Sequence, residues 1–243
     1  MITGDELKGS EFSRKQNFPF IWLILAFLFF SILIFFSVFW SSNKTIKRFE
    51  LSGFKYFDSK PIESLLSSNL YRNININELK SSLEKFDFVD KCKIYKKDSE
   101  TLVVEILEKE PLLLFSSSSG VQRIISERLE FIPFANIKSI DVPIFSLETI
   151  DEAIIRQEYF DVLNFVKGLR KFYPSVYMNI DEVNCDKSTI CLYTKSTRTK
   201  VLFNRNMSLE KVELFEEVFS RKDWMKFFER EIDFRFDGLV VIR

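Results

Sequence analysis

The sequence predicts an α+β fold: one long apolar helix followed by a mixed body of strands and helices. Two observations carry this. Phe18 to Trp40 reads FPFIWLILAFLFFSILIFFSVFW, with no charged residue in 23. After it, hydrophobic period switches between two and about 3.6, first as strand, helix, helix, strand, strand and then as further strands and helices.

Residues 1–17 are polar and form a short tail. At about 1.5 Å per residue the apolar run spans roughly 34 Å, enough for a hydrocarbon core of about 30 Å. It is expected to be a single transmembrane helix over 18–40. It exceeds the length of a signal-peptide core, and Val38-Phe39-Trp40 offers no small-residue cleavage site. Trp22 and Trp40 stand near its ends, where indoles favour the membrane interface, and are the expected anchor residues. Flanking cations do not orient it: Lys8, Arg14 and Lys15 precede, while Lys44, Lys47, Arg48 and Lys55 follow. An anchor before a large body is the ordinary export arrangement, which places the body outside.

The body opens with alternating Phe49 and Leu51, broken by Gly53. Asp58-Ser59-Lys60-Pro61 signals a helix start, with Ile62, Leu65, Leu66 and Leu70 at helical spacing. Asn75 and Glu78 have the spacing of a capping box, ahead of an Ile76, Leu79, Leu83, Phe86 stripe. Two strands follow: Cys92 and Ile94 in the first, Leu102, Val104 and Ile106 in the second, with a turn over 96–100. This block closes near Pro111.

Ser116 to Ser119 with Gly120 make a small-residue break, a hairpin tip or a linker. A single helix is predicted over 150–172, stopped by Tyr173-Pro174. Strands are predicted over 176–183, 190–194 and 199–203. Leu209, Val212, Phe215, Val218 and Phe219 mark a helix. A closing strand runs from Ile232 to Ile242, bent or interrupted near Gly238.

The chain has no histidine, which removes the commonest general base and the usual Ser–His and Cys–His pairs. Its six glycines are scattered singly, so no phosphate loop can form. Carboxylate neighbours Glu108 with Glu110, and Asp181 with Glu182, read as solvated surface. Formal net charge is zero with interleaved signs, which gives no stripe for nucleic acid. No metal site or cofactor is expected, and the body reads as a binding module rather than an enzyme. Cys185 and Cys191 flank a turn and are either free or paired across a hairpin. Cys92 reads as a small core residue.

Several segments stand in a telling order: Phe49-Glu50-Leu51-Ser52-Gly53-Phe54-Lys55-Tyr56-Phe57; Phe86 to Val89 with Cys92 to Tyr95; and Thr101 to Ile106 with Glu108-Lys109-Glu110-Pro111. They continue with Asp141-Val142-Pro143-Ile144, Glu210-Lys211-Val212 and Ile232-Asp233-Phe234-Arg235-Phe236. On these segments the block over 44–113 resembles a POTRA domain, and the chain from Phe18 to Arg243 resembles the FtsQ/DivIB family of bacterial cell-division proteins. Lys109 stands where the family commonly has arginine, and no clear hairpin motif occupies 120–140.

The resemblance implies a βααββ POTRA domain over 44–113. A mixed α/β domain with a curved, mainly antiparallel sheet would follow over 114–243. It implies a non-enzymatic scaffold of the divisome, single-pass in the cytoplasmic membrane at the septum. The N-terminus would be cytoplasmic and the body periplasmic. Implied partners are FtsB-like and FtsL-like bitopic proteins, other divisome proteins through the POTRA domain, and membrane lipid. The family receives a partner segment by strand addition beside its last strand. Phe236 and Gly238 match that docking strand in position, flanked by Phe234, Arg235, Val240 and Ile242. The alternative is an anchored envelope adaptor, or an enzyme using Ser–Lys or carboxylate chemistry.

Overall fold

The computed structural model describes residues 18–42, 46–70, 75–148, 151–206, 210–220, 230–236 and 239–243. The expected tail over 1–17 lies outside them. The fold is α+β. Helix α1 (Phe18–Ser42) is followed by β1 (Arg48–Ser52), α2 (Lys60–Ser68), α3 (Ile76–Leu83), β2 (Val89–Lys96) and β3 (Thr101–Glu108).

The transmembrane helix expected over 18–40 needs correction. Among the described residues no helix is long and apolar enough to cross a membrane. The side chains of α1 are described over 22–38. Over that stretch the large apolar side chains are exposed, Trp22 among them.

The first sheet has the order β1-β3-β2, with β1 parallel and β2 antiparallel to β3. Both helix starts follow from local chemistry. Asp58 Oδ1 accepts from Lys60 N at 3.1 Å, and Pro61 occupies the first turn of α2, where its missing N–H costs nothing. Asn75 caps α3 by accepting from Asn77 N, while Glu78 bonds the Asn75 side-chain amide at 2.9 Å rather than its backbone. Ile62, Leu66, Leu79, Leu83, Cys92, Leu102, Val104 and Ile106 close one core. Gly53 has φ +99°, and a Cβ there would lie 1.9 Å from the Ile106 carbonyl oxygen, so the turn after β1 admits only glycine.

The second sheet is larger. Its strands are β4 (Pro111–Ser117), β5 (Gln122–Ser126), β6 (Phe131–Pro133), β7 (Ile144–Leu147), β8 (Ile180–Cys185), β9 (Thr189–Thr194), β10 (Lys200–Asn204), β11 (Glu231–Asp233) and β12 (Val241–Ile242). They lie in the order β12-β11-β10-β9-β8-β7-β4-β5-β6. The contacts β4–β7, β7–β8 and β10–β11 are parallel; the others are antiparallel. Ser116 to Gly120 is a hairpin tip between β4 and β5, with Gly120 at φ +82°.

Helices α4 (Glu152–Glu158), α5 (Phe160–Phe172), α6 (Pro174–Met178) and α7 (Glu210–Phe219) contribute the other half of the second core. Two expectations change here. The single helix over 150–172 breaks at Tyr159, where Arg205 Nη2 donates to the Glu158 carbonyl and the guanidinium grips Asp161. The strand expected from 176 begins only at 180, because Pro174 opens α6 instead of merely ending α5.

The closing segment is not one interrupted strand. β11 runs parallel to β10, and β12 turns back antiparallel to β11. β12 therefore forms one edge of the large sheet, and β6 forms the other.

Candidate functional site

Two residue rows cross the large sheet, because directly opposed residues share a face. On the helix-covered face the row runs Phe115, Phe145, Val183, Leu192, Val201, Ile232, Ile242. Every member is essentially buried except the last; Ile242 is 49% exposed. On the opposite face the row runs Ile132, Ile124, Leu114, Ile144, Glu182, Tyr193, Lys200, Glu231, Arg243. It begins inside the first core, where Ile124 and Ile132 are buried, and ends in charge at the β12 edge.

Backbone bonding at that edge follows from the register. Glu231 and Arg243 exchange both N–H···O bonds, at 3.1 and 2.9 Å. The neighbouring Ile232–Ile242 pair is then the non-bonded kind, so the Ile242 N–H and C=O point away from β11. An edge strand with outward donors and acceptors, beside an apolar row lacking its last cover, is the geometry of strand addition.

The sequence-predicted docking residues divide. Phe234 is 1% exposed, stacked on Phe203 at 5.2 Å between ring centroids and edge-on to Phe215 at 5.9 Å. Its side chain is spent on the core and offers a partner no surface. Arg235 forks onto Asp233, with Nε to Oδ1 at 2.9 Å and Nη2 to Oδ2 at 2.7 Å. This pair holds the Asp233 carboxyl below the usual carboxylate range and raises Arg235. Val240 packs on the core, while Phe236 and Ile242 are half exposed. Lys211 Nζ on α7 reaches the Phe234 and Phe236 carbonyls at 3.2 and 3.5 Å, fixing the chain where it leaves β11. Exposed Leu239, which the sequence reading did not single out, adds an apolar side chain just before β12. Gly238 and the Trp40 side chain lie outside the described residues.

Of the carboxylates expected to be solvated, Glu110 and Asp181 are exposed, Glu182 is half-buried, and Glu108 is not solvated. Glu108 is buried, and its two oxygens accept from Lys55 N, Tyr56 N and Phe57 N at 2.8, 2.8 and 3.0 Å. It fastens the segment after the Gly53 turn to the end of β3. Only the turn at Gly53 followed by a strand-end acid could have signalled this. Glu110 pairs with Arg170 at 2.8 Å, and Arg170 also holds Glu127 at 3.0 Å and donates to the Pro111 carbonyl. Glu182 accepts from Ser146 at 2.9 Å, while Asp181 is exposed beside it at a register shift.

A shallow cavity of about 830 Å³ lies at the carboxyl ends of β4, β7 and β8, lined in part by Ser116 to Ser118, Tyr159, Cys185 and Arg205. Its hydroxyls serve the hairpin tip. Ser117 Oγ accepts from Val121 N at 3.0 Å and contacts Ser119 Oγ at 2.9 Å, and Ser118 Oγ donates to the Glu148 carbonyl. Arg205 is committed to Asp161.

Cys185 opposes Ile190 and Cys191 opposes Asn184. Adjacent Ile190 and Cys191 point to opposite faces, so the two thiols sit on opposite sides of the sheet and cannot pair. All three cysteines are free. Burial pushes the Cys185 thiol up to about 12 and raises Cys191 and Cys92 as well.

No protein-family model matches the chain, and no curated protein matches it.

Proposed function

We propose that this chain is a binding scaffold that receives an extended segment of a partner protein as an extra strand beside β12. The carrying observation is the buried row that ends in half-exposed Ile242, whose backbone N–H and C=O face outward. Burying that isoleucine would contribute roughly 1–2 kcal/mol beyond the main-chain bonds. Phe236 and Leu239, both exposed, lie near β12 in sequence.

The FtsQ/DivIB resemblance supplies the biological reading: a non-enzymatic divisome scaffold at the outer face of the bacterial cytoplasmic membrane. Its partners are FtsB-like and FtsL-like proteins. The Ile232-to-Phe236 motif supports that reading. Ile232 and Phe234 anchor the core, Asp233 and Arg235 lock the outer face, and the chain turns back to form the edge. The apolar surface of α1 supports work against lipid.

Ile242→Pro tests the reading, because it removes an N–H that β11 does not use. The variant is expected to fold, by circular dichroism, and to lose capture of an FtsB-like partner. Phe236→Glu is expected to weaken the same capture. Full capture by folded Ile242→Pro sinks the β12 reading. Depletion is expected to give filaments with unseparated septa; normal division would favour an envelope adaptor.

A further inference from the structure

We infer that the strand received at β12 carries an acidic residue opposite Arg243, between aliphatic residues that face the helices. This rests on strand addition at that edge. On the open face Glu231 serves two cations: Lys200 Nζ stands 3.0 Å from Oε2, and Arg243 Nη1 stands 3.5 Å from Oε1. Lys200 and Arg243 thus share one carboxylate side chain, and the outermost of the three is the most exposed, the Arg243 side chain at 61%. The row alternates Lys200, Glu231, Arg243, and its next position belongs to the incoming strand.

A carboxylate there gives Arg243 a partner of its own. A lysine there would face Arg243 directly, an arrangement that destabilises paired strands. On the other face the next position continues the row that ends at Ile242, beside core-packed Val240. That face calls for aliphatic side chains. The occupant is therefore an extended segment of a partner protein with alternating acidic and aliphatic residues.

The test titrates the full chain with two short fluorescent peptides, one with a valine–glutamate–valine core and one with valine–lysine–valine. Both cores read the same in either direction, so parallel and antiparallel addition present one pattern. The glutamate peptide is expected to bind about three- to fivefold more tightly, the range of an exposed ion pair, with the preference shrinking in salt. Arg243→Glu is expected to invert the preference. Ile242→Pro is expected to abolish binding of both. Equal binding of the two peptides, with Ile242→Pro still abolishing both, overturns the acidic rule and leaves strand addition standing. Binding of both unaffected by Ile242→Pro overturns strand addition and the acidic rule together. Binding of neither peptide overturns the acidic rule, and capture of the partner protein then judges strand addition separately.

Discussion

The two edges of the large sheet face the same physical problem and meet it differently. An edge strand exposes unpaired donors and acceptors that invite further pairing. At β6 the chain closes its own edge. Pro133 lacks an N–H, and its carbonyl accepts from Ala135 N at 2.8 Å. The following residues pair with the first module: Asp58 N to the Asn136 carbonyl at 2.7 Å, Lys138 N to the Tyr56 carbonyl at 2.9 Å, and a bridge between Phe57 and Ile137. Ile132 lies buried in the first core. At β12 two residues complete the sheet, and Ile242 stays half exposed. The difference teaches that exposure at β12 is local. The same sheet has a neighbouring module to cover one edge and leaves the other available.

The largest effect that could break this comparison is a matched pair of substitutions. Ile132→Asp puts a carboxylate into the first core and is expected to cost about 4 kcal/mol or more in urea unfolding. Ile242→Asp is expected to cost under about 1 kcal/mol, because its site is half solvated. Similar losses at both would show the edges to be equivalent. Next is Glu108→Ala, which strands three backbone N–H groups in the segment that covers β6. A loss of about 3 kcal/mol is expected, with faster hydrogen exchange at 55–57 and 136–138, and a smaller loss for Glu108→Gln.

Asp233→Asn probes the open side and is expected to cost about 2 kcal/mol at neutral pH by removing a charge-assisted fork. The Asp233 pKa is depressed in the folded chain, so its contribution is present above the unfolded value near 4 and fades as pH falls through the folded value. Acid unfolding of the variant should therefore be flatter below about pH 4. The smallest effect is Tyr177→Phe. This buried phenol donates to the Leu112 carbonyl on β4 at 2.8 Å, and its loss should cost about 1 kcal/mol. Burial raises its pKa to about 12, so its contribution holds below the ordinary tyrosine value and is lost as pH rises toward 12. A spectroscopic titration in which Tyr177 ionises with ordinary tyrosines would contradict this burial.

Much of the fold was legible in the sequence because local pattern decided it. Period-two runs became β1, β2, β3, β9 and β10, and the Asp58-to-Pro61 and Asn75 signals opened α2 and α3. Two of the misreadings share one cause, a partner distant in sequence. Arg205 lies more than forty residues from the Asp161 it grips at the helix break. Glu108 lies more than fifty residues from the amides it binds. Of the expected docking residues, Phe236 and Ile242 reach solvent and Phe234 does not. Strand alternation turns one side chain inward without saying which until the register is set.

By itself, the sequence determined an α+β chain with a βααββ block, no histidine and no phosphate loop. Period, composition and turn chemistry act within a few residues, and they suffice for that. Tertiary structure decided that the closing segment folds back into a two-residue edge. It also put Cys185 and Cys191 on opposite faces, buried Glu108 as a clamp, and left the row through Val201 and Ile232 one residue short of cover at Ile242. Each of these depends on strand order and register across the large sheet, which long-range pairing sets and local pattern cannot.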